Sequence, residues 1–81
     1  MLVRLTDNIP VYFDRLRELV LAGVMYAGTT VNIERPMKRE VRVNPSDENT
    51  TRLFVVPMRT VGDGGILYAR KSELVGRYKK V

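Results

Sequence analysis

The chain contains neither cysteine nor histidine. The lack of cysteine excludes disulfide bonds, thiolate nucleophiles and sulfur metal sites. The lack of histidine removes the commonest metal ligand and the side chain that most readily exchanges protons near neutral pH. The composition therefore predicts a protein that is not an enzyme and that has neither a cofactor nor a metal site.

Long apolar runs are also missing. The most apolar stretch, residues 19–27, is far shorter than the roughly 20 residues that a membrane-spanning helix needs. The first residues do not read as a secretory signal, because Arg4, Asp7 and Asn8 interrupt their apolar positions. We therefore expect no membrane contact and a cytoplasmic location, with which the absence of cysteine is compatible.

The length of 81 residues predicts one domain, covering residues 1–81. Hydrophobic residues make up 44% of the chain, a proportion typical of globular proteins rather than of disordered ones. A domain of this size buries a thin core, and self-association is one way to enlarge it. A homo-oligomer is therefore an open alternative to a monomer.

Residues 9–22 have the pattern of an amphipathic helix. Asp7 or Asn8 is a suitable cap, and Pro10 fits the first turn. Apolar residues then recur at steps of three and four, which is the helical period; they are Phe13, Leu16, Leu19, Val20 and Val24. Charged residues occupy the opposite face, so the sequence predicts an amino-terminal helix.

The rest of the chain favours strands, because the apolar period changes to two. Strands are expected at 29–34, 38–43, 51–59 and 66–70, with an edge strand or an ordered arm at 2–5 and a last strand or a tail at 76–81. Turn-forming residues fill 44–50 and 62–65, and Ser72 is suited to cap a single helical turn. We expect an α+β fold in which the amino-terminal helix packs on a curled, mostly antiparallel sheet of four or five short strands, similar in architecture to a small barrel.

Basic charge is concentrated in the second part of the chain. The net charge is +5 overall, but −1 over residues 1–34 and +6 over residues 35–81. A dense basic surface binds nucleic-acid phosphates by releasing condensed counterions, and arginine makes two-point contacts with phosphate. The residues that we expect to bind phosphate are Arg35, Lys38, Arg39, Arg42, Arg70 and Lys71.

Other residues carry weaker signals. Tyr26, Tyr68 and Tyr78 offer faces for stacking unpaired bases, although tyrosine more often lies at the edge of a core. Asp14 and Glu18 are four residues apart, but we interpret them as solvated charges rather than as an active site. Arginine stems also cover the apolar edges of thin cores, so basic charge alone is not specific to nucleic acid.

The alternative function is a protein–protein adaptor or inhibitor that binds an acidic surface of a larger protein. Arginine is enriched at interface hot spots, and Met25, Met37 and Met58 would add adaptable apolar contact if they were exposed. Nucleic-acid binding predicts basic residues on one continuous face. An adaptor predicts an exposed apolar patch with a charged rim.

Overall fold

A computed structural model of the chain describes residues 1–42, 46, 48–62 and 65–81. Within these residues the protein is almost entirely β, with an eight-stranded sheet in which every pair of neighbouring strands is antiparallel. The strands are β1 (Leu2–Leu5), β2 (Ile9–Arg15), β3 (Glu18–Met25), β4 (Thr30–Ile33), β5 (Met37–Arg42), β6 (Thr50–Thr60), β7 (Ile66–Arg70) and β8 (Tyr78–Lys80). A single helical turn, α1 (Lys71–Leu74), separates β7 from β8.

The predicted amino-terminal helix is wrong, and with it the α+β fold. Residues 9–25 form the β2–β3 hairpin, whose last pair is Arg15 opposite Glu18. Leu16 and Arg17 make the turn, and Arg17 has a positive φ of 57°. A β-bulge shifts the register between Val11 and Tyr12. Aromatic and β-branched side chains are frequent in this segment, and they favour a pleated strand over a helix.

The long strand β6 organises the sheet. It pairs with β7 along one edge, and with both β4 and β5 along the other. Residues 34–36 interrupt the second edge, and there the Glu34 amide donates to the Pro57 carbonyl at 2.9 Å. The amide and carbonyl groups of one strand residue point toward the same neighbouring strand. The Pro57 nitrogen, which has no hydrogen to donate, therefore points toward this interruption, where no strand partner needs it. Pro57 therefore lies inside β6, as it does in the strand expected at 51–59.

Both faces of β6 carry buried side chains in its central part. Val56 and Met58 belong to the main core, together with residues of β1, β2, β4, β7 and α1 such as Val3, Ile9 and Leu74. Val55 points to the opposite face, where Tyr12 and Val41 are also buried. This two-sided burial agrees with the continuous apolar run in this part of the sequence.

The remaining strand predictions are confirmed within a few residues of their ends, including β1 and β8. Ser72 is not a helix cap, because α1 begins one residue earlier with Arg70 at its N-cap position and no capping side chain. Some predicted positions lie outside the described residues. They are residues 44, 45, 47, 63 and 64 of the turns predicted at 44–50 and 62–65, and the last residue of the strand predicted at 38–43. No helix among the described residues is long and apolar enough to cross a membrane.

Candidate functional site

Strand β5 divides the predicted basic cluster between two faces of the sheet. Side chains alternate along a strand, so Lys38 and Arg42 point one way and Arg39 points the other. Arg39 donates a hydrogen bond to Asp14 across 2.7 Å, and the two side chains are 32% and 15% exposed. Arg39 therefore connects β5 to the β2–β3 hairpin and does not share a surface with Lys38 and Arg42. Asp14, which we interpreted as solvated, is mostly buried in this ion pair.

Arg70 is also engaged within the protein. Its guanidinium lies 5.2 Å from the centre of the Tyr12 ring, and its Nε is 3.8 Å from the Glu73 carboxylate. The Tyr12 hydroxyl donates to that same carboxylate at 2.9 Å. Burial, and then the hydrogen bond to Glu73, raise the pKa of Tyr12 above its ordinary value. This cluster joins β2, β7 and α1.

Phe54 is the centre of a different arrangement on the other face of β6. Phe54 is 46% exposed although it lies in the middle of a strand pair, directly opposite Lys38. The Lys38 ammonium lies 5.9 Å from the ring centre, and the Lys71 ammonium lies 5.3 Å from it. Two cations from different elements thus converge on one exposed aromatic ring, within the range of cation–π attraction.

Two open grooves meet beside this ring. The first, of about 500 Å³, lies between the end of β4, α1 and β8, and its lining includes Arg35, Tyr78 and Leu74. The second, of about 480 Å³, lies between β6 and α1; it is lined by Arg52, Leu53, Phe54, Arg70, Lys71, Ser72 and Val75. Lys71 and Val75 line both grooves. We use the name cationic track for four exposed basic residues: Arg35, Arg52 and Lys71, which line these grooves, and Lys38, whose ammonium lies over the Phe54 ring.

The cationic track keeps most of its charge available. Among the described residues, no ion pair involves Arg35, Lys38 or Lys71. Arg52 is 3.5 Å from Glu40, but both side chains are more than half exposed, so solvent screens this pair and it contributes little. Glu34, which lines the first groove, is paired with Arg59 at 3.3 Å.

The structure thus brings together three of the six predicted phosphate-binding residues, namely Arg35, Lys38 and Lys71. Arg70 lines the second groove, but its charged end is held by Tyr12 and Glu73. Arg42 shares a face with Lys38 and lines neither groove, and Arg39 lies on the other face.

Arg52 and Phe54 were not among the residues expected to bind phosphate. Phe54 falls inside the apolar run of residues 53–56, a pattern typical of a strand that is buried on both faces. Of the tyrosines considered for stacking, Tyr78 lines the first groove and packs against the core. Tyr68 lies opposite Pro57 and Tyr12 in the strand register. Tyr26 is exposed and follows the end of β3. The period-two alternation of β6, which places Phe54 and Arg52 on one face, was the available signal.

The β2–β3 hairpin exposes large apolar side chains away from these grooves. Its exposed large apolar side chains are Phe13, Leu16, Leu21 and Val24. Charged residues, Arg15, Arg17 and Glu18, surround its tip. The register places Leu21 and Val24 on the face of Tyr12 and Phe13 on the other face, so these side chains do not form one continuous apolar patch.

No protein-family model matches the chain, and no curated protein or solved structure is significantly similar to it.

Proposed function

We propose that the protein is a non-catalytic module that binds the phosphates of nucleic acid through the cationic track. The observation that carries this proposal is the position of Lys71, which lines both grooves and links Arg35 on one side with Lys38 and Arg52 on the other. A cytoplasmic location, where nucleic acid is accessible, is part of the proposal.

Electrostatics supports Arg35, Lys38 and Lys71 over Arg39 and Arg70 as phosphate-binding residues. A phosphate gains most from cations that have no acidic partner, because a partnered cation must first give up its carboxylate. Arg39 and Arg70 have such partners, whereas Arg35, Lys38 and Lys71 do not within the described residues. Each phosphate that is neutralised releases condensed counterions, so the affinity falls as salt rises.

The test compares two double variants with the same loss of charge. Lys38→Gln with Lys71→Gln removes the cations beside Phe54. Lys79→Gln with Lys80→Gln removes two exposed lysines of β8 that line neither groove. Binding to DNA and RNA is measured by fluorescence anisotropy between about 50 and 200 mM salt. We expect the first pair to weaken binding to all sequences and to flatten the plot of log affinity against log salt by about 1 to 2. The second pair should leave most of the affinity in place.

Equal losses in the two double variants would mean that binding depends on net charge and not on the cationic track. The absence of wild-type binding at low salt would contradict nucleic-acid binding altogether. The exposed apolar hairpin would then favour the second candidate function, an adaptor for a larger protein. Capture of one protein by the wild type, but not by a Leu16→Ser, Leu21→Ser variant, would support that function.

A further inference from the structure

Phe54 is unusual among the aromatic residues because both its exposure and its neighbours suit a ligand. Phe13 is almost equally exposed, at 47% against 46%, but no cation is recorded over its ring among the described residues. Phe54 also lines a groove, and three basic residues line that groove with it: Arg52, Arg70 and Lys71. An aromatic face within reach of several cations is the arrangement with which proteins hold unpaired nucleotides.

We infer that Phe54 is a stacking platform for an unpaired base, so that the cationic track accepts single-stranded nucleic acid in preference to duplex. This inference rests on the function proposed above. In a duplex the bases are already stacked on their neighbours and are not free to cover a protein ring, whereas a single strand presents them.

The two lysines do not prevent this stacking. Cation–π contacts at exposed sites are weaker than the stacking of a base on an aromatic side chain. Lysine has a flexible four-carbon stem, so Lys38 and Lys71 are able to turn from the ring to phosphates on either side of the stacked base. They come from β5 and from the start of α1, so they approach the ring from different elements.

The groove beside the ring gives the base room and the backbone a path. The groove of about 480 Å³ opens between Phe54 and α1 and meets the first groove at Lys71 and Val75. A strand that follows both grooves would pass from Arg52 to Arg35 and would meet Tyr78 as a second aromatic ring. Because every base has a π face, we expect little sequence preference.

The experiment measures the binding of three probes to two leucine variants. The probes are a short oligothymidylate, an oligonucleotide of the same length in which abasic sites replace the bases, and a duplex. Phe54→Leu removes the ring and keeps an apolar side chain, and Phe13→Leu is the matched control because it makes the same change at equal exposure. We expect Phe54→Leu to weaken oligothymidylate binding about 5- to 100-fold, while abasic binding changes less than about 2-fold. Phe13→Leu should change neither.

A tryptophan at the same position provides a direct readout of stacking. The chain contains no tryptophan, so Phe54→Trp introduces a single indole whose fluorescence can be excited selectively. We expect oligothymidylate to quench this fluorescence and to bind at least as tightly as it binds the wild type, whereas the abasic oligonucleotide binds without quenching. Circular dichroism of each variant verifies that the fold is retained.

Two outcomes would overturn the inference and leave the proposed function standing. One is equal wild-type affinity for duplex and oligothymidylate, and the other is a loss in Phe54→Leu that is the same for oligothymidylate and the abasic probe. The absence of wild-type binding to all three probes would instead overturn both.

Discussion

Arg39 and Lys38 are adjacent in the chain and have different tasks. Lys38 is exposed beside Phe54, while Arg39 crosses to Asp14 on the β2–β3 hairpin. The buried Arg39 Nε has no hydrogen-bond partner in the part of the chain that the structure describes, so desolvation offsets part of the benefit of the ion pair. A count of basic residues therefore overstates the charge that is available to a ligand.

The pKa of Tyr12 gives a prediction at the scale of a single residue. Because burial and the hydrogen bond to Glu73 raise this pKa in the folded protein, the unfolded chain releases the proton first. Stability should therefore fall as the pH rises above about 10, the ordinary tyrosine value, towards the raised value of the folded state. Tyr12→Phe should lower the free energy of unfolding by about 0.5–1.5 kcal/mol at neutral pH, through loss of that hydrogen bond, and should show a shallower decline above pH 10.

Urea unfolding of the wild type and of Tyr12→Phe at several pH values checks this prediction. Lysine deprotonation affects both proteins equally, so the difference between their slopes reports Tyr12. Parallel slopes above pH 10 would contradict the assignment.

At the scale of elements, the β2–β3 hairpin depends on an unusual turn. Arg17 has a φ of 57°, and its carbonyl accepts a hydrogen bond from the Arg42 amide at 2.9 Å. A side chain at this backbone angle is strained, whereas glycine adopts it readily. Arg17→Gly preserves the carbonyl and should raise the free energy of unfolding by about 0.5–1 kcal/mol.

Arg15→Gly is the control for this variant, since it removes the same charge from a strand residue two positions away. Glycine inside a strand costs conformational entropy, so this variant should lose about 0.5–1 kcal/mol. Denaturant midpoints compare the two variants, and a loss of stability in Arg17→Gly equal to that in Arg15→Gly would show that the turn is not strained.

The same hairpin shows where sequence reasoning reached its limit. Apolar residues at Phe13, Val20 and Val24 fit a helix of period 3.6, and they also fit two paired strands with a bulge. The charges from Asp14 to Glu18 resembled helical ion pairs but surround a turn, and arginine is not a residue that marks a turn. The other strands were predictable, because their alternation continues without a competing helical pattern.

The candidate site was predictable only in part, for a related reason. The separation of Arg39 from Lys38 follows from the alternation of side chains along one strand. The position of Phe54 opposite Lys38 depends on the register between β5 and β6. The sequence does not determine this register, because several residues connect the two strands. The Lys71 ammonium, which comes from α1, lies over the same ring only because of the tertiary fold, and no local sequence pattern indicates this contact.

At the scale of the whole molecule, β6 links the two buried faces of the sheet. Met58 is fully buried in the main core, whereas Met37 on the neighbouring β5 is partly exposed. Met58→Ala should therefore lower the free energy of unfolding by about 2–5 kcal/mol, because it leaves a cavity, and Met37→Ala by less than about 1 kcal/mol.

Far- and near-ultraviolet circular dichroism of both methionine variants tests this prediction in denaturant. Because β6 joins three other strands, we expect both signals to change in one coincident transition. Separate transitions, or equal losses in Met58→Ala and Met37→Ala, would contradict the central position of β6.

The pairing of β1 with β8 also has a consequence for the rate of folding. Val3 lies opposite Lys80, so this ladder joins residues from nearly the full length of the chain. Contacts between such distant residues require closure of a long loop before they contribute any stability, and proteins dominated by them fold in milliseconds to seconds. During synthesis on the ribosome, the outer edge of β1 stays unpaired until β8 has emerged and can pair with it.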